Sequence, residues 1–283
     1  QRIIRTQGLT NKSTITIPVV FHVIYNNSTE NISEAQVLSQ LQVLQEDFNL
    51  QNSDASNTPA EFADRVANVG IQFVLADTDP QGNSHSGITR TYTSKSSFGT
   101  NDDMKYTSRG GHDAWPADQY LNFWVCDLGT SLLGYAQFPG GPAETDGVVC
   151  HYKYTGTNGA ATAPFNLGRT GTHEVGHWLN LRHIWGDAAC GNDYVDDTPT
   201  QLTSNSGCPS HPKNSCTSND MFMNYMDYVN DACMYMFSEG QKERMLALFA
   251  EGGFRSSFAG GGTPPPPPSD YCASKGNSVS DEW

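Results

Sequence analysis

Residues 173–183 read HEVGHWLNLRH, which sets three histidines and one glutamate in a single short stretch. On an α-helix, His173 and His177 are four residues apart and share one face, about one turn apart. Two imidazole nitrogens so placed can grip one ion. Glu174 points to the flank of that face, where it is poorly set to ligate the ion but can reach a water beside it. His183 lies too far along a straight helix to join the site, so the helix must end first and the chain turn back. Asn180 is the expected turning point, because asparagine tolerates left-handed backbone better than most residues. Zn²⁺ takes neutral imidazoles at tetrahedral geometry, and a catalytic site keeps one position for water. Three histidines leave that position open. Glu174 is then expected to take the water's proton and hand it to a leaving amine. The bland alternative is a helix with solvated or core histidines. HExxH by itself recurs by chance, so the third histidine and downstream features must carry the weight.

Such a motif needs elements that hold it. Residues 15–25 are rich in β-branched types and predict a strand. The stretch 33–48 has apolar residues at helical spacing, with Ser33 as N-cap and Gln36 three residues on. Further strands are expected at 71–77, 120–128 and 146–154. Between the last two, LLGYAQFPGGP (132–142) reads as an edge strand facing a cleft. The motif helix is expected to begin near 166–170 and to stop near Asn180. A loop-rich stretch, 184–235, follows. Ser238 and Gln241 then make a capping box for a closing helix that ends at Gly252–Gly253. Strands and helices mix early and loops with helices follow, which is an α+β arrangement.

The whole chain narrows the function classes. Its 283 residues carry a net charge of −14 with only 16% charged residues. So acidic a body is a poor partner for nucleic acid or an anionic membrane surface. No apolar run approaches the length of a membrane span. The chain opens on Gln1 without a methionine, as a processed fragment is expected to. Four of its seven cysteines fall between 190 and 233, in a stretch poor in core-forming residues. Covalent ties suit such a stretch, and they imply disulfides and a secreted, extracellular setting. Spacing alone permits three pairings of those four. Cys126 and Cys150 fall in neighbouring strand candidates, where they either pair or stay as buried thiols. Residues 259–270, AGGGTPPPPPSD, read as a Gly/Pro linker. Residues 271–283 read as the truncated start of a further C-terminal module, in which Cys272 has lost its partner.

HEVGHWLNLRH resembles the long zinc-binding motif of the metzincin metallopeptidases, H-E-x-x-H-x-x-G-x-x-H, a clan also marked by a Met-turn. MNYMDYVNDACMYMF (223–237) resembles the Met-turn of the pappalysin family, especially its ulilysin-like bacterial branch. LLGYAQFPGG, DGVV and DYVDDTP support the likeness, which spans roughly residues 15–255. One departure is Asn180, where the family has glycine. The resemblance implies a metzincin-like catalytic domain over 15–258, after an N-terminal segment 1–14. An upper mixed sheet with two long helices would sit over a loop-rich lower subdomain with the Met-turn and a C-terminal helix. It implies that His173, His177 and His183 bind zinc, that Glu174 is general base and acid, and that Met226 forms the floor beneath them. Tyr228 would stabilise the oxyanion. Leu133, Gly134, Tyr135 and Ala136 would pair with an extended protein or peptide substrate. The implied disulfides are Cys190–Cys216 and Cys208–Cys233. Asp187, Asp193, Asp196, Asp197 and Thr198 look like a calcium loop. Asp231 would select arginine just after the scissile bond. The implied protein is a monomeric, secreted zinc endopeptidase. Its rival from another class is a zinc-binding adhesion or binding module without activity, which would be expected to lose Glu174.

Overall fold

The computed structural model describes residues 15–129 and 132–259. The first and last segments of the domain division, 1–14 and 271–283, and all but the first residue of the linker lie outside these.

Strand β1 (Ile15–Tyr25) is the axis of the sheet. Its alternate residues Ile17, Val19, Phe21 and Val23 are all fully buried on one face, as period-2 burial requires. Along one side, β2 (Ile71–Leu75) pairs with its first half and β3 (Ile88–Tyr92) with its second, both parallel. On the other side comes β4 (Leu121–Cys126), then β6 (Val148–His151), also parallel. The short β5 (Gly134–Ala136) runs antiparallel to β6 and closes the order β2-β1-β4-β6-β5. Five expected strands are present. β3 was not anticipated, because ITRTY is half-exposed and polar and gives no apolar alternation to read.

Helix α1 (Glu34–Phe48) starts as expected at Ser33, whose side chain accepts from Gln36 N at 3.1 Å. The Gln36 amide does not return to the cap. It reaches across to the Tyr152 and Thr155 carbonyls at 3.0 and 2.9 Å. Helix α2 (Arg169–Trp178) carries the histidine motif and packs against α1, β5 and β6. The closing helix is shorter than expected. α3 (Glu239–Leu246) has its capping box, but the chain then tightens into a 3₁₀ turn, Ala247–Phe249. Below α2 the chain is mostly loop, tied by Cys190–Cys216 and Cys208–Cys233. Cys126 and Cys150 are free and buried. They belong to different apolar clusters, since a one-residue offset between adjacent strands puts them on opposite faces of the sheet.

Candidate active site

The chain leaves α2 at Trp178 and reverses at Asn180, which adopts φ +71°. Leu181 N returns to the Gly176 carbonyl at 2.9 Å. Asparagine therefore makes the left-handed turn that was expected of it, and His183 comes back beside the helix. His177 Nε2 lies 3.0 Å from His173 Nε2 and 3.2 Å from His183 Nε2. Zn–N bonds of about 2.0–2.1 Å at the tetrahedral angle imply nitrogens about 3.3 Å apart, so the spacing fits one shared ion. Among the described residues, these three form the one group of metal-binding side chains close enough to share an ion.

The far nitrogen of each ring is tied. His173 Nδ1 donates to the Tyr225 carbonyl at 2.6 Å, and His177 Nδ1 to that of Leu181 at 2.8 Å. His183 Nδ1 donates to Asp187 Oδ1 at 2.5 Å. A proton fixed on Nδ1 leaves the Nε2 lone pair for the ion, and such partners orient ligating histidines. Burial, then the neighbouring imidazoles, hold His173 well below its ordinary range, and the same causes bring His177 to about 3. Both rings are neutral, as ligands must be.

Met226 lies fully buried beneath this centre. A Cβ on Gly176 would come within 2.5 Å of its sulfur, so glycine between the two helical histidines lets Met226 lie against α2. The Tyr228 hydroxyl sits 2.9 Å from His183 Nε2. Its backbone N–H donates to Asp227, a buried carboxylate also held by Gln201 and Asn205. Trp185 stacks on His183, ring centroids 4.2 Å apart.

Glu174 is fully buried between α2 and the sheet edge. A Cβ on Gly134 would come within 3.0 Å of its Oε1 and 2.8 Å of the Val149 carbonyl. Gly134 is therefore what allows β5 to lie on the glutamate. The ladder of β5 also has a definite sense. His151 N donates to Leu133 O and Gln137 N to Gly147 O, so Leu133, Tyr135 and Gln137 are the hydrogen-bonded positions facing β6. Alternation then turns the backbone N–H and C=O of Gly134 and Ala136 outward, to the side with no further strand among the described residues. The Tyr135 hydroxyl points away from the motif helix and donates to Asp102 at 2.8 Å.

The five residues read as one calcium loop have these partners. Asp187 serves His183, and although burial raises its carboxyl, that hydrogen bond holds it below its usual value. Asp197 caps α3, accepting from Ser238 Oγ at 2.6 Å and Gly240 N at 2.9 Å. Asp193 and Thr198 do meet, at 2.8 Å. With Asp196 they line a cavity of about 440 Å³ bounded by residues 184–200.

Asp231 is no surface residue. It is fully buried, and its Oδ2 accepts from Leu167 N at 2.7 Å and Arg169 N at 3.3 Å. Arg169, at the start of α2, pairs with Asp47 at 2.9 Å and Asp54 at 3.0 Å and donates to the Tyr225 hydroxyl at 2.5 Å. This arginine, Asp187 as a partner and Gly134 as a spacer escaped the sequence reading. Only Asp187 left a trace there, four residues after the third histidine.

A profile of the pregnancy-associated plasma protein-A family matches residues 104–250. Extracellular metalloproteases of Pyricularia oryzae and Coccidioides posadasii are 32% and 34% identical to this chain. The matches cover 85% and 84% of this chain and 77% and 78% of theirs. Mature mirolysin of Tannerella forsythia, solved with a cleaved peptide, superposes with a TM-score of 0.86 at 53% identity, over 88% of this chain and 97% of that one. These matches agree with the imidazole cluster, and the chain belongs to the pappalysin family of metzincin metallopeptidases.

Proposed function

We propose that this metallopeptidase is a secreted zinc endopeptidase that cleaves extended peptides with Glu174 as its proton carrier. The observation that carries this reading is the convergence of three imidazole Nε2 atoms beside a buried glutamate, beneath an open strand edge. His173, His177 and His183 would hold the zinc. Zinc bound there supplies a Lewis acid that makes water nucleophilic at neutral pH and polarises the scissile carbonyl. Glu174 takes a proton from the attacking water and returns it to the leaving amine nitrogen. The Tyr228 hydroxyl donates to the developing oxyanion. The outward amides and carbonyls of Gly134 and Ala136 align the substrate backbone by strand addition, with Leu133 and Tyr135 tying that strand down from its inner side. Asp231 presents one oxygen to an arginine after the scissile bond. Met226 supports the imidazoles from below.

Secretion is supported by the two disulfides and by relatives named as extracellular. Calcium is proposed at the Asp193–Thr198 cavity, whose oxygen donors are hard. Burial pushes the Asp193 carboxyl up to about 6, as suits a carboxylate awaiting a cation. Nothing in the reading calls for more than a monomer.

The test is mass-spectrometric mapping of cuts in a diverse peptide mixture, with and without a zinc chelator. Cuts that vanish with chelator and cluster before arginine are expected. Glu174→Gln should lose about 10²–10⁴-fold in rate while still retaining zinc. Full activity in that variant would refute the assigned role.

A further inference from the structure

The strand proposed to receive the substrate is only three residues long, Gly134–Ala136, and its one neighbour among the described residues is β6. So short an edge has few backbone bonds to hold it straight, yet strand addition needs its outward amides and carbonyls in register. Support comes from the far face of the sheet. Tyr135 points there, into an apolar cluster with Met104 and Trp124. Beside those rings lies Lys105, a fully buried lysine at the end of the short turn Asp103–Lys105. Its Nζ lies 2.9 Å from Asp102 Oδ1 and donates to the Thr145 carbonyl at 2.8 Å. The Tyr135 and Trp124 rings are 5.0 and 5.3 Å away, within cation–π range. The Asp102 oxygen that takes the ammonium also accepts from the Tyr135 hydroxyl at 2.8 Å. The Thr145 hydroxyl in turn donates at 2.5 Å to Gln137, the residue just after the strand. One cation therefore reaches β5 at its middle, through Asp102 and the ring, and at its exit, through Thr145.

We infer that Lys105 is a positioning residue for the substrate, a buried cation that fixes the receiving strand β5 from the face opposite the zinc motif. This role rests on the strand addition proposed above. Stability alone is a weak reason for such a group. A buried ion pair is often no more stabilising than apolar residues of the same volume, and its best-attested use is to fix one arrangement. Burial lowers the pKa of the Lys105 ammonium, and Asp102 is the largest of the influences that oppose this. Asp102 presents its carboxylate from left-handed backbone, at φ +60°, a conformation that aspartate tolerates better than most residues. A substrate hydrogen-bonded along β5 feels this clamp in proportion to the number of its residues that lie on the strand. A short peptide, held mainly at the cleaved bond, feels it less.

Substrate length separates this role from a general loss of stability. An internally quenched peptide of about ten residues and one of about four, alike at the cleaved bond, are compared by kcat/KM. Misfolding or lost zinc lowers the active fraction for both peptides alike and cancels in their ratio. The wild type is expected to favour the long peptide at least about tenfold, the scale of one or two net hydrogen bonds. Lys105→Met keeps the reach of the side chain and removes its charge. It is expected to cut that preference about fivefold, mainly by raising KM for the long peptide. A preference that survives intact in Lys105→Met would overturn the inference and leave strand addition standing. A wild type with no length preference would remove strand addition, and the inference with it. Should Lys105→Met not fold, Tyr135→Phe decides, because it deletes only the hydroxyl link to Asp102. A preference reduced at least about twofold is then expected, and an unchanged one would overturn the inference.

Discussion

At Gly134 the absence of a side chain is the functional property. Alanine there would drive into Glu174 and the Val149 carbonyl, and neither can give way without moving the base or the sheet. Gly134→Ala is expected to lower kcat/KM about 100-fold, the scale set by a misplacement of about 1 Å, with little loss of zinc; steady-state kinetics beside metal analysis checks it. Asp231 makes a second prediction, on pH. Burial pushes its carboxyl up to about 6, against two backbone hydrogen bonds and Arg169, which pull it down. Its folded value lies above the ordinary 3.8, so the carboxylate exists only above about pH 6. The arginine preference proposed for Asp231 should therefore be full near pH 8 and fade as pH falls through 6, while neutral peptides lack this change. The kcat/KM ratio for the two peptides, measured across pH, tests it.

Elements hold these residues by contacts that sequence separation hides. Helix α2 is closed at its far end by Arg255, which pairs with Asp146 and lies 3.7 Å over the Trp178 ring. Trp178 Nε1 donates to the same aspartate at 3.0 Å. Arg255→Ala would strand a buried carboxylate and should cost about 3–5 kcal/mol, read as a lower midpoint in denaturant. None of this was legible in the chain. The histidine spacing, the Asn180 turn and the Ser238 capping box were, because each is a local pattern fixed by helical geometry. β1 and α1 were legible through their apolar periods. β3 was not, since its pairing with β1 does not require a buried face. Asp197 shows what an acidic run does not reveal. Adjacent carboxylates in sequence point to different elements once the loop folds, and one of them caps a helix 41 residues away.

At the scale of the molecule, a mostly parallel sheet and two packed helices carry the upper half, and covalent ties carry the lower. The Cys208–Cys233 bond spans 25 residues and fastens the loop before the Met-turn to the segment just after it. Closing such a loop stabilises by about 3 kcal/mol. Replacing both cysteines by serine should lower thermal stability by that order and loosen Tyr228, whose backbone N–H donates to Asp227 within the tied loop. Calorimetry gives the first, and a fall in kcat larger than any change in zinc content gives the second.

The downstream origin of several contacts that orient α2 has a consequence in time. The helix leaves the ribosome before Tyr225, which orients His173, before Asp231, which seats its entry, and before Arg255, which arrives 77 positions after Trp178. A nascent chain therefore bears the whole histidine motif long before it can hold that motif in working order. The contacts that orient the motif are completed only when the end of the domain has been made.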